Sequence, residues 1–152
     1  MLTNNAVYVP AASFCAYLSA DASNITGDNS IVIVPFDSIL TDVSNNFNDG
    51  TYTYNVPANG NMLILANIEY KGIIASNNKG AAYIYVNGVN SYALIYNNIY
   101  KCAAGDSVYI GNGSIIIPVT KGQLLTMYVG VDGASLTTDI GTNSYFMGTY
   151  CL

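Results

Sequence analysis

The chain has 152 residues, of which 51% are hydrophobic and only 9% charged, with a net charge of -5. That length makes one domain with enough material to bury a core and no room for a second. There is no histidine, and all four basic residues are lysines, Lys71, Lys79, Lys101 and Lys121. These facts exclude a clustered cationic surface for nucleic acid and any imidazole-based nucleophile relay; no apolar run approaches the ~20 residues of a membrane helix.

Residues 1–11 precede the first strand-like segment and are expected to form an N-terminal arm, with the domain itself at 12–152. The arm lacks the basic start and apolar centre of an export signal, and it carries neither Gly-x-y triplets nor heptads. Strands are predicted at 12–20, 30–36, 51–56, 61–70 and 81–87, then at 90–96, 106–111, 114–119, 123–131 and 144–152. The reason is a period of two, as in Tyr52/Tyr54/Val56 and Tyr83/Tyr85, with β-branched runs such as Ile31 to Val34 and Ile115 to Ile117 that fit strands better than helices. Asp49-Gly50, Asn59-Gly60, Asn87-Gly88, Asn112-Gly113 and Asp132-Gly133 punctuate these segments and read as tight turns. About ten antiparallel strands with no capped amphipathic helix predict an all-β sandwich or barrel.

Residues of types that carry chemistry elsewhere have structural readings here. Cys15, Cys102 and Cys151 are too few and scattered for a disulfide framework or a zinc site and read as buried small hydrophobes, with one bridge between Cys15 and Cys151 left open. The eight aspartates sit almost wholly in turn contexts, where the carboxylate serves the backbone. Glu69, the one carboxylate inside a strand, reads as an exposed cross-strand partner of a lysine rather than a catalytic acid. Asp21 to Asp28 is the best candidate for calcium, with Asp21 and Asp28 as ligands, although it lacks the dense alternating oxygens of a calcium loop. Tyr92, Tyr96 and Tyr100 are candidates for a subunit interface or for stacking on sugars.

From Phe36 onward the spacing of Phe36, Asp42, Phe47, Tyr54 and Gly60 resembles the complement C1q globular-head family, which shares its jelly roll with the tumour necrosis factor superfamily. Tyr54 stands where that family has Phe, and Met62, Ile64 and Ala66 replace its alternating aromatics. Further likenesses are Ser13 to Ala16 to its first strand, Val86-Asn87-Gly88 to its central hairpin, Ala104 to Val108 to its Gly-Asp strand entry, and Ser144 to Gly148, including Phe146 and Gly148, to its last strand. The resemblance spans residues 13 to 152 and implies a C1q-like jelly-roll β-sandwich, trimeric, and some relatives hold calcium near the trimer apex; from the residues themselves no catalytic group and no cofactor are expected.

Relatives in cells normally carry an export signal and a collagen-like stalk, and neither is read here. The expectation is therefore a virion structural protein, such as a bacteriophage head-fibre, capsid-decoration or tail-tip knob. It would form a homotrimer, assemble in the host cytoplasm, dock onto other virion proteins through residues 1–11 and touch host-surface carbohydrate, without nucleic-acid or membrane partners. A bacterial surface or spore-coat protein and a β-sandwich carbohydrate-active enzyme with two converging carboxylates are the alternatives.

Overall fold

A computed structural model describes residues 12–99 and 108–151. Residues 1–11 lie outside the described residues, as do Tyr100, Lys101, Cys102 and most of the 104–108 segment.

The described residues form thirteen strands: β1 (Ser13–Tyr17), β2 (Ala22–Thr26), β3 (Ile31–Ile33), β4 (Ser38–Asp42), β5 (Phe47–Asn48), β6 (Thr53–Asn55), β7 (Gly60–Lys71), β8 (Lys79–Val86), β9 (Val89–Asn98), β10 (Val108–Val119), β11 (Leu124–Val131), β12 (Thr138–Ile140) and β13 (Tyr145–Tyr150). They build two antiparallel sheets. The first runs β2-β12-β7-β13-β1-β4, and the second runs β5-β6-β11-β8-β9 with β3 also on β11. In the first sheet β10 takes one whole edge of β7, from Gly60 paired with Val119 to Lys71 paired with Val108. The other edge of β7 takes β13 along Met62 to Asn67 and β12 at Tyr70 and Lys71.

Alternation decides which face each strand buries. Met62, Ile64, Ala66 and Ile68 of β7 point into the core, as do Leu125, Met127 and Val129 of β11 and Ala82 and Ile84 of β8. The residues between them face outward, which is the period-two pattern of sheets packed on one side only. Phe14 is a hub of this core. Its ring stacks on Tyr54 at 4.0 Å between centroids, lies 5.7 Å from Phe47, and meets the edge of Phe146 at 4.8 Å.

Several details that the sequence misjudged or left open have local causes. Asn112-Gly113 is not a turn: β10 runs straight through it, with Asn112 opposite Asn67 and Gly113 opposite Ala66. Glycine is needed there because a Cβ on Gly113 would run into the carbonyl of Leu94 on β9, so the residue marks a close backbone approach. By contrast Asn87-Gly88 is a two-residue hairpin turn, with φ of 52° and 77°. The short strands β2, β4 and β12 have weak alternation and acquire strand geometry from the neighbours they pair with. Finally, Cys15 and Cys151 are free thiols, because Cys15 lies opposite Met147, four residues short of Cys151.

Candidate functional site

The outward face of the first sheet carries an apolar surface with few charges. Its central rows follow from register: Ser13, Thr149, Leu63 and Ile116 lie side by side across β1, β13, β7 and β10; next come Cys15, Met147, Leu65 and Ser114, and then Tyr17, Tyr145, Asn67 and Asn112. Leu40 of β4 is 75% exposed and Ile116 of β10 is 60% exposed, and Ile110 and Val108 are exposed further along β10, beyond Ser114 and Asn112. Single exposed aliphatics need no explanation, but a contiguous set on a sheet does.

Two shallow depressions give this face relief. One, of about 430 Å³, is lined by Cys15, Tyr17, Leu40 and the 142–145 turn. The other, of about 270 Å³, lies among Leu65, Asn112, Gly113, Ser114 and Tyr145. Burial pushes the Cys15 thiol above its ordinary pKa, which keeps it a neutral small hydrophobe.

One end of the face is polar. Lys71 donates to both oxygens of Asp21, at 3.0 and 2.9 Å, and lies 3.5 Å from Glu69. The lysine holds the Asp21 carboxyl below its usual range, helped by a hydrogen bond from the Thr142 N–H. Glu69 departs from its expected role, being 6% exposed rather than at the surface. Its lysine neighbour is two residues along its own strand, and its carboxylate accepts from the Asn143 side-chain amide at 2.9 Å. The 141–144 turn folds over it, with the Gly141 N–H donating to the Glu69 carbonyl and the Ser144 hydroxyl accepting from the Glu69 N–H. Asp21 and Glu69 thus converge on Lys71, and both carboxylates are engaged in holding the 141–144 turn, Asp21 through the Thr142 N–H and Glu69 through Asn143.

The remaining sequence candidates fall in several places. Asp21 and Asp28 flank β2 at opposite ends and are not brought together; Asp28 accepts from the Ser30 N–H of its own turn. Tyr92 is half-buried and packs against the core, whereas Tyr96 is 64% exposed with Lys79 over its ring at 5.1 Å. Neither lies on the first sheet, since both belong to β9 at an edge of the second. Phe36 is buried 6.2 Å from Phe146, and Asp42 accepts from the Phe47 N–H at 2.7 Å. Phe47 and Tyr54 face each other across the β5–β6 hairpin. Gly60 opens β7 beneath the Tyr150 ring, and Gly148 lies against Phe14, whose ring is 2.6 Å from where a Cβ would be.

Sequence reasoning missed the outward rows of β7 and β13, though their signal was present. Leu63, Leu65, Tyr145 and Met147 occupy the alternate positions left over once the core face is assigned, where a sheet packed on one side only ordinarily carries polar residues.

No protein-family model matches the chain, and no curated protein matches it. Solved structures do. The globular domain of zebrafish complement 1qA aligns with a TM-score of 0.64 at 12% identity, covering 93% of this chain and 98% of the other. Murine APRIL aligns with TM-scores of 0.62 and 0.63 in crystals at pH 8.5 and 8.0, at 6% identity, covering 92% of this chain and 98% of the other. The chain therefore has the all-β C1q/tumour necrosis factor-like jelly-roll fold expected from its spacing of aromatic and glycine residues.

Proposed function

We propose that the protein is a non-catalytic structural and binding module that works as a homotrimer, with the outward face of the first sheet turned toward the threefold axis. The observation that carries this reading is the apolar surface of Ile116, Leu63, Leu65, Met147, Tyr17 and Leu40 on that sheet. Water against such a surface costs free energy in proportion to its apolar area, and association removes it. Outward Val108 and Ile110 on β10 add exposed apolar area to the same face. Tyr17 and Tyr145 bury area at low entropy cost, as interface tyrosines do.

The setting we propose is a virion, in a bacteriophage head fibre, capsid decoration or tail tip. In support, solubility rests on uncharged Asn, Ser and Thr rather than on ions, since charged residues are only 9% of the chain. A surface of that kind packs against other protein without charge repulsion. Docking through residues 1–11 and contact with host-surface carbohydrate complete the reading. No cofactor is required by it, since the Asp21 oxygens are taken by Lys71 and the Thr142 N–H, and Asp28 serves its own turn.

Light scattering during size exclusion tests the assembly, with a particle of three 16.1 kDa chains expected. A stable monomer at micromolar concentration refutes it. Mass spectrometry of purified particles tests the setting, which fails if this chain is absent from them.

A further inference from the structure

The outward face of the second sheet differs from that of the first: it is aromatic and hydroxylated rather than aliphatic. Tyr83 of β8 faces Tyr128 of β11 in register, and Tyr85 faces Thr126. Tyr85 and Tyr128 stack diagonally with centroids 3.9 Å apart and planes inclined by 22°. Beside them the sheet is stripped of bulk, since Gly130 pairs with Ala81 on one side and with Ile31 on the other. The result is a groove of about 310 Å³, lined by Tyr83, Gly130, Ile31, Asn29, Lys79 and Asp132.

The polar wall of this groove is held in place. Asn77, fully buried, accepts from the Ile74 N–H through its side-chain oxygen and donates its amide N–H to the Asp132 carbonyl at 2.7 Å. The Asp132 N–H donates to the Lys79 carbonyl at 3.0 Å. Asn29 sits at a φ of 70° and is fixed twice, by its N–H on the Val131 carbonyl and its side-chain amide on the Gly133 carbonyl. Left-handed backbone in an asparagine and a buried amide spent on positioning one loop are what a preorganised site needs.

Chemistry then selects the ligand class. Lys79 and Asp132 are 3.5 Å apart, so their charges cancel while donors and acceptors remain available to a guest. A phosphate or carboxylate ligand would meet Asp132, and a cationic one would meet Lys79. A neutral sugar fits both, because its hydroxyls accept from the ammonium and donate to the carboxylate, and its C–H face lies against the negative face of a tyrosine ring. We infer that this groove is a binding site for a neutral saccharide, with Tyr83 as the stacking platform and Asp132, Lys79 and Asn29 as the hydroxyl-reading wall. The inference deepens the carbohydrate contact in the proposed function, and it places that contact on residues of a single subunit.

Affinity for one sugar unit in a shallow groove is expected on the order of millimolar, which suits saturation-transfer NMR. The aromatic protons of the full chain are irradiated in the presence of glucose, galactose, N-acetylglucosamine and their neutral tetrasaccharides, with tetragalacturonate as the acidic comparison. Saturation is expected on the ring C–H protons of at least one neutral sugar. It should fall at least fivefold in Tyr83→Ala and in Asp132→Asn, persist in Tyr83→Phe, and be unchanged in Val43→Ala, an exposed residue between β4 and β5 that lines neither the groove nor the assembly surface. Circular dichroism checks that each variant is folded. No transfer from any neutral probe at ~10 mM, ten times the expected constant, overturns the inference. So does transfer indifferent to Tyr83→Ala, or preference for the acidic probe. Because the mass is measured on the same sample, a monomer with Tyr83-dependent transfer defeats the assembly reading alone, and a trimer without transfer defeats this one alone.

Discussion

Ile116→Asp tests the assembly face most directly. Ile116 is 60% exposed in the subunit, on the outward side of β10 opposite Leu63. Burying an isoleucine fully stabilises by about 1.5–3 kcal/mol, so the exposed part offers about 1–2 kcal/mol per subunit on association and about 3–6 kcal/mol per trimer. Aspartate forfeits that gain and adds the desolvation of a charge at each interface, an effective penalty of several kcal/mol per ion. The sum exceeds about 10 kcal/mol per trimer, or several decades in the association constant. The subunit itself should scarcely notice, because exposed substitutions away from special features stay within about 0.5 kcal/mol. Light scattering of Ile116→Asp should therefore report a folded 16.1 kDa monomer, while Ile116→Val remains trimeric. A variant of unchanged trimeric mass would refute the placement of this face at the axis.

Other consequences concern the core and the ionisable groups. Phe14→Ala removes the ring that joins Phe47, Tyr54 and Phe146, and urea titration should show a loss of about 3–5 kcal/mol. Gly148→Ala would place a methyl 2.6 Å from the Phe14 ring, and the same assay should show a loss of about 1–3 kcal/mol from overpacking. The Asp21 carboxyl is depressed in the folded state by Lys71, so its stabilisation is present above the unfolded value of ~3.9 and fades as pH falls through the lower folded value. Asp21→Asn should flatten the melting temperature against pH in that acid window, and an unchanged slope would show that the ion pair contributes nothing. Burial raises the Tyr70 phenol, so the stability linked to it is intact below pH ~10, where the unfolded chain begins to ionise, and declines as pH rises beyond that. Tyr70→Phe should move alkaline unfolding, followed by circular dichroism, to higher pH. Removing divalent cations with EDTA should leave the melting temperature unchanged, and a drop of several degrees would put calcium near Asp21 or Asp28.

Much of the sandwich was legible in the chain because the information is local. Alternation in 61–70, 81–87 and 123–131 tells which side chains face inward, and Asn87-Gly88 names its own turn because few residues tolerate two consecutive positive φ angles. The spacing of Phe36, Phe47, Tyr54, Gly60, Phe146 and Gly148 likewise pointed to the C1q-like fold, since bulky and absent side chains must interlock at fixed places in a core.

What only the tertiary structure decided is everything that depends on which strands become neighbours. Gly113 reads as a turn until Leu94 is found against it, and Glu69 reads as a surface ion until the 141–144 turn folds over it. Register across β1, β13, β7 and β10 gathers Tyr17, Met147, Leu65 and Ile116 on one face, and register across β8 and β11 brings Tyr83 beside Asp132, although nearly fifty residues separate them in the chain. Side-chain periodicity assigns a residue to a face of its own strand; pairing over long sequence separations decides what shares that face, and binding surfaces are made of those neighbours.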